Sequence, residues 1–101
     1  MTRGTTPKLT FTMSIAPSKF LKLYVTGEQN GRTIFDKTLE DMEKNEASKT
    51  VSFRLTQDET LGLVEKSVLY IQARGVLTDG NVVASGILQT SVGRILKDGV
   101  I

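Results

Sequence analysis

Val68-Leu69-Tyr70-Ile71-Gln72-Ala73-Arg74, the turn Thr78-Asp79-Gly80-Asn81 and the run from Val82 to Val92 form the stretch whose reading decides the fold. On the first run Leu69, Ile71 and Ala73 fall on one side, and Tyr70, Gln72 and Arg74 on the other. On the second, Val82, Ala84, Leu88 and Val92 share a side against Ser85, Gln89 and Ser91. A period of two means a strand with one face in a core and one in water. Asp79-Gly80 offers the positive backbone angles of a tight turn, so the stretch reads as one long β-hairpin. Its inner face is expected to hold the core residues, and its outer face Tyr70, Arg74, Val83 and Ile87.

Working outward, Lys8 to Ile15 alternates, with Leu9, Phe11, Met13 and Ile15 inward and Thr10, Thr12 and Ser14 outward. Phe20 to Thr26 does the same, with Leu21, Leu23 and Val25 inward and Lys22, Tyr24 and Thr26 outward. Gly27 to Gly31 reads as a hairpin loop with Asn30-Gly31 as its turn. Arg32 to Lys37 is a strand of undecided face, because Ile34 and Phe35 are adjacent and strict alternation cannot turn both inward. Thr38 to Lys49, with its charged run Glu40 to Glu46, fits a helical turn, an edge strand or a loop. Thr50 to Leu55 alternates again, and Thr56-Gln57-Asp58-Glu59 has capping-box spacing, so a short helical turn is expected near 57–63.

The expected fold is therefore all-β, a small antiparallel β-sandwich of Ig-like or fibronectin-like outline with six to seven strands. A small OB-type barrel is the competing architecture. The 101 residues make one domain, large enough to bury roughly two-thirds of the unfolded surface. Residues 1–7 form an N-terminal arm, expected to be mobile alone, and 94–101 an apolar-spotted C-terminal tail.

Composition narrows function. With no Cys and no His, thiolate chemistry, a Ser-His-Asp arrangement and the commonest transition-metal ligands are absent. Without Cys and Trp, the core of a true immunoglobulin domain is excluded. Adjacent carboxylates at Glu40-Asp41 and Asp58-Glu59 read as a solvated charged loop and a helix cap, because so small a chain has little wall for a cleft. Gly27-x-x-x-Gly31 lacks the Gly-Lys-Ser/Thr ending of a phosphate loop, and Asp79-Gly80 is a turn rather than a calcium site. No enzyme, cofactor, metal or small-molecule substrate is expected. The pI near 9.0 accompanies a net charge of only +2, with both signs interleaved, so basicity alone does not indicate nucleic acid. No apolar leader or membrane span is evident, so the protein is expected to be made in a cytoplasm without secretion by a signal peptide.

Two binding surfaces remain. Lys22, Tyr24, Tyr70 and Arg74 combine base-stacking rings with cations, the chemistry of a nucleic-acid reader in miniature, although two rings and no basic stripe weigh against it. The alternative is that Tyr24 and Tyr70 form a cross-strand pair. Val83 and Ile87, with the terminal Val100-Ile101, suggest a protein-docking surface.

Several stretches are also familiar together. They are Arg3-Gly4-Thr5-Thr6-Pro7 leading to Leu9-Thr10-Phe11-Thr12, the turn Leu55-Thr56-Gln57-Asp58-Glu59-Thr60, Ile71-Gln72-Ala73-Arg74 before Thr78-Asp79-Gly80, and the closing Val92-x-x-x-Leu96-x-x-x-Val100-Ile101. Over nearly its whole length the chain resembles a family of small proteins from tailed phages and prophages of Firmicutes, especially gut Clostridia. The resemblance implies a phage-encoded protein made with the virion structural genes in the host bacterial cytoplasm. It transfers no catalytic or binding residue. The expected function is that of a non-enzymatic accessory protein of the virion or its assembly, binding a second copy or a larger phage structural protein. A soluble effector that blocks a host or defence protein is the next reading, and a nucleic-acid-binding β domain the third.

Overall fold

The structure, a computed structural model, describes residues 1–86, 88–93 and 100. Its strands are β1 (Lys8–Thr12), β2 (Phe20–Gln29), β3 (Arg32–Thr38), β4 (Glu43–Asn45), β5 (Thr50–Arg54), β6 (Val68–Leu77), β7 (Val82–Ala84) and β8 (Leu88–Ser91), with one short helix, α1 (Gln57–Leu61). They form two antiparallel sheets, one of three strands in the order β1-β5-β4 and one of five in the order β3-β2-β6-β7, with β8 also on β6. The molecule is thus a small all-β sandwich rather than a closed barrel. The chain passes between sheets through a 3-10 turn at Pro17–Lys19, a second at Leu39–Asp41, and α1. Thr38–Lys49 is both a helical turn and an edge strand, and Met42 between them is buried at 5% exposure.

Between the sheets sit Leu23, Val25, Phe35, Val51, Phe53, Leu55, Leu69, Ile71 and Val92, all buried. The layers meet through aromatic rings. Phe35 of the larger sheet lies 5.8 Å from Phe53 of the smaller, tilted by 51°, and Phe53 stacks on Phe11 at 5.9 Å. Phe35 reaches that position because it lies over Gly27, directly opposite on β2. A Cβ there would come 2.7 Å from its Cδ1 and Cζ. Gly75 plays the same part beneath Phe20. Gly27 is therefore a strand residue and not the start of a loop. β2 continues to Gln29, and the hairpin closes on Asn30-Gly31 alone, both with positive φ (53° and 75°), the signature of a type I′ turn.

Three departures from strict alternation correct the expected faces. Between Phe20 and Lys22 the register with β6 shifts, leaving Leu21 as an extra residue. Phe20 is consequently buried and Leu21, expected inward, is 64% exposed. A second shift, beside Gly27, leaves Ile34 extra on β3, so Ile34 and Phe35 both pack on the core. The third interrupts the long hairpin. Arg74 stands opposite Ala84, but Ile71 stands opposite Leu88, so three residues on one arm span two on the other. The parity of the second arm flips there. Val83 is inward, opposite Gly75, while Val82 and Ala84, expected inward, are exposed. Ser85 repairs the ladder: its hydroxyl accepts the Ala73 amide at 3.0 Å, while its own amide donates to the Ala73 carbonyl at 2.8 Å.

The first seven residues are tied down rather than loose. Thr2 bridges Gly93, the Thr5 carbonyl accepts the hydroxyl of fully buried Thr60 at 2.7 Å, and the Pro7 carbonyl accepts the Leu55 amide at 3.0 Å. α1 explains why they converge there. Thr56 and Glu59 complete its capping box, and Arg3 and Arg32 donate to the carbonyls of Leu61 and Gly62 at its far end. Gln29, 2% exposed, then pins the following loop, accepting from the Val64 amide at 2.6 Å and donating to the Val64 carbonyl at 2.9 Å.

Two substitutions test this account. Gly27→Ala should destabilise by about 1–3 kcal/mol through overpacking against Phe35. Gln29→Met keeps the volume but leaves the Val64 amide and carbonyl unpaired, and should cost about 2 kcal/mol. Denaturant midpoints at unchanged slope would measure both.

Candidate protein-docking face

The outer face of the five-stranded sheet can be read as rows, because directly opposed residues share a face. Lys22, Val76 and Val82 form the first row, and Thr38, Tyr24, Arg74 and Ala84 the second. Asp36, Thr26 and Gln72 form the third, and Thr33, Glu28, Tyr70 and Gln89 the fourth. All six residues expected to face outward from β2 and β6, Lys22, Tyr24, Thr26, Tyr70, Gln72 and Arg74, are there. Tyr24 and Tyr70 are each 41% exposed.

Tyr24 and Tyr70 are not a cross-strand pair. Tyr24 opposes Arg74 and Tyr70 opposes Glu28, two rows away, about 13 Å along the strands. The stacking-and-cation chemistry is split accordingly: Tyr24, Arg74 and Lys22 cluster at one end, and Tyr70 sits beside a carboxylate. Asp36 accepts from Thr26 at 3.0 Å in the row between. Two acidic groups interrupt any track for a phosphate backbone.

The end near Lys22 is apolar as well as cationic. Leu21, the extra residue beside Lys22, is 64% exposed, and Val82, in the first row with Lys22 and Val76 and next to the row of Tyr24 and Arg74, is 60% exposed. An aromatic ring, aliphatic side chains and an arginine with little negative charge are the composition of an interface centre. Neither Leu21 nor Val82 was expected here. The signal was the pairs Phe20-Leu21 and Val82-Val83, since two adjacent apolar residues in an alternating strand mark a possible slip of parity, as Ile34-Phe35 does. Val83, assigned to this face from sequence, packs instead against the core. Val100 is 60% exposed, whereas Ile87 and Ile101 lie outside the described residues.

Several carboxylates elsewhere are committed to structure. The Thr38 amide and then its hydroxyl hold the Asp41 carboxyl below its ordinary range. Lys8, at 3.0 Å, does the same for Glu43. Burial pushes the Glu59 carboxyl up, but the Thr56 amide, the Lys37 ammonium at 2.9 Å and the Thr56 hydroxyl outweigh it, and the group titrates below its usual value. A general acid needs the opposite shift. The Asp79 carboxylate accepts from the Asn81 amide at 2.9 Å, an Asx turn. Among the described residues no three Asp or Glu side chains are grouped to hold a metal ion.

Searches of protein-family models and of curated proteins find no match to this chain.

Glu59 sets a pH dependence. Its folded-state pKa lies below the ordinary 4.5, so its contribution to stability is fully present above that value and is lost as pH falls through the folded-state value. The Glu59→Gln variant should be less stable at neutral pH by about 1 kcal/mol and lose less stability on acidification than the wild type. Denaturant titrations at neutral and acid pH would show both.

Proposed function

We propose that this chain is a non-enzymatic, phage-encoded accessory protein that acts by protein–protein association in the virion or its assembly, through the outer face of the five-stranded sheet. The observation that carries the association is the exposed cluster of Leu21, Tyr24, Val82, Lys22 and Arg74, whose apolar members water penalises and a partner would cover. The phage setting rests on the sequence resemblance. In this reading the sandwich is Ig-like or fibronectin-like in outline, and the protein is made in the host bacterial cytoplasm and carried into particles by a larger structural protein. The five-stranded sheet supplies the platform, and the two aliphatic residues that its register shifts turn outward supply the contact.

Purified particles of the encoding phage should contain the chain by mass spectrometry. A Tyr24→Ala/Arg74→Glu variant with unchanged thermal unfolding should be depleted from them by about tenfold or more. Absence of the wild-type chain from particles would overturn the virion role and move the weight to an effector that binds a host protein. Undiminished incorporation of the variant would overturn the assignment of the face.

A further inference from the structure

Among the described residues four sheet edges end this sandwich, and three are guarded. β4 is three residues long and reads Glu43-Lys44-Asn45, β3 is bulged at Ile34 and carries Arg32, Asp36 and Lys37, and the β7–β8 edge is cut by its extra residue. Short length, charge and bulges are the devices by which strands avoid pairing with other chains. β1 has only a charge at its first residue, Lys8, just after Pro7, and no bulge. From Leu9 to its end at Thr12, and on to Ile15 beyond it, the chain carries no charge and no proline, and the pairing of β1 with β5 runs without a shift. Among the described residues β1 has a neighbouring strand on one side only.

Its backbone parity shows what that open edge offers. The Met13 amide donates to the Lys49 carbonyl and the Leu55 amide to the Pro7 carbonyl, so odd-numbered residues of this strand turn their polar groups to β5. Lys8, Thr10 and Thr12 consequently direct theirs to the open edge. The side chains tell the same story. On β5, Val51 and Phe53 are 1% and 4% exposed, whereas their β1 neighbours Leu9 and Phe11 are only half-buried. Two grooves, of about 360 and 450 Å³, run along this strand and share Phe11.

We propose that β1 pairs antiparallel with β1 of a second copy about a two-fold axis at Thr10, joining two three-stranded sheets into one of six strands. The strand is self-complementary in this register. Thr10 opposes Thr10, Lys8 opposes Thr12, and Leu9 opposes Phe11, so every outward donor meets an acceptor and no like charges face each other. The contact is isologous and closes at two copies, which keeps an unguarded edge from propagating into fibres. It uses a different surface from the outer face of the larger sheet and stands whether or not that face binds.

Because the chain has no cysteine, Thr10→Cys gives a clean test. Directly opposed residues of a hydrogen-bonded antiparallel pair have Cα atoms about 5.5 Å apart, within disulfide range. Under mild oxidation this variant should cross-link into dimers at least about tenfold faster than a Ser18→Cys control, and the wild type should sediment as a dimer at high micromolar concentration. Thr10→Lys, with an unchanged melting profile, should sediment as a monomer. A monomeric wild type, or a Thr10→Cys rate no faster than the control's, would overturn the pairing. Because these measurements concern the purified chain alone, their failure is distinct from failure of particle incorporation.

Discussion

The contact of the Phe35 ring with the backbone of Gly27 is the constraint on which the two layers depend. Gly27 has no Cβ, so the ring settles onto β2 and projects toward the other sheet, where it meets Phe53 and, through it, Phe11. Three strands from two sheets are thereby joined by three rings. The same contact places the register shift of β3, because the residue in front of Phe35 is the one left over when the ring is drawn inward. A side chain at Gly27 would push the ring away from Phe53 and take the shared core with it.

Bulges do the rest of the positioning. Each extra residue, at Leu21, at Ile34 and in the break after Ala84, changes the parity of everything beyond it on that strand. Two of them put apolar side chains, Leu21 and Val82, on the solvent side next to Tyr24 and Arg74. The exposed cluster is a by-product of how the core is filled. Phe20 over Gly75 and Val83 opposite Gly75 occupy the inside, so their chain neighbours are forced out. Core and docking face are two consequences of one packing solution.

At the opposite end the sandwich is held by polar atoms. The Gln29 amide mimics a strand partner for Val64, Thr60 ties down the N-terminal segment, and two arginines from distant parts of the chain satisfy the end of a five-residue helix. Nothing in the spacing of Gln29 announces this. A glutamine at the end of a strand reads as a solvent-facing residue until the loop that needs it is folded against it. The N-terminal segment likewise looks like a loose polar arm until the carbonyls of Thr5 and Pro7 find their donors.

Local alternation was enough to make this chain an antiparallel sandwich, to place Lys22, Tyr24, Tyr70 and Arg74 on one outer face, and to start a helix at Thr56. These outcomes depend on side-chain periodicity and capping, which act between residues close in sequence. The identity of the inward member of Phe20-Leu21, of Ile34-Phe35 and of Val82-Val83 was settled only by tertiary structure. An apolar pair satisfies either parity equally well within its own strand. The choice depends on which side chain has a glycine to pack against, Gly27 for Phe35 and Gly75 for Phe20 and Val83, and that glycine arrives from elsewhere in the chain.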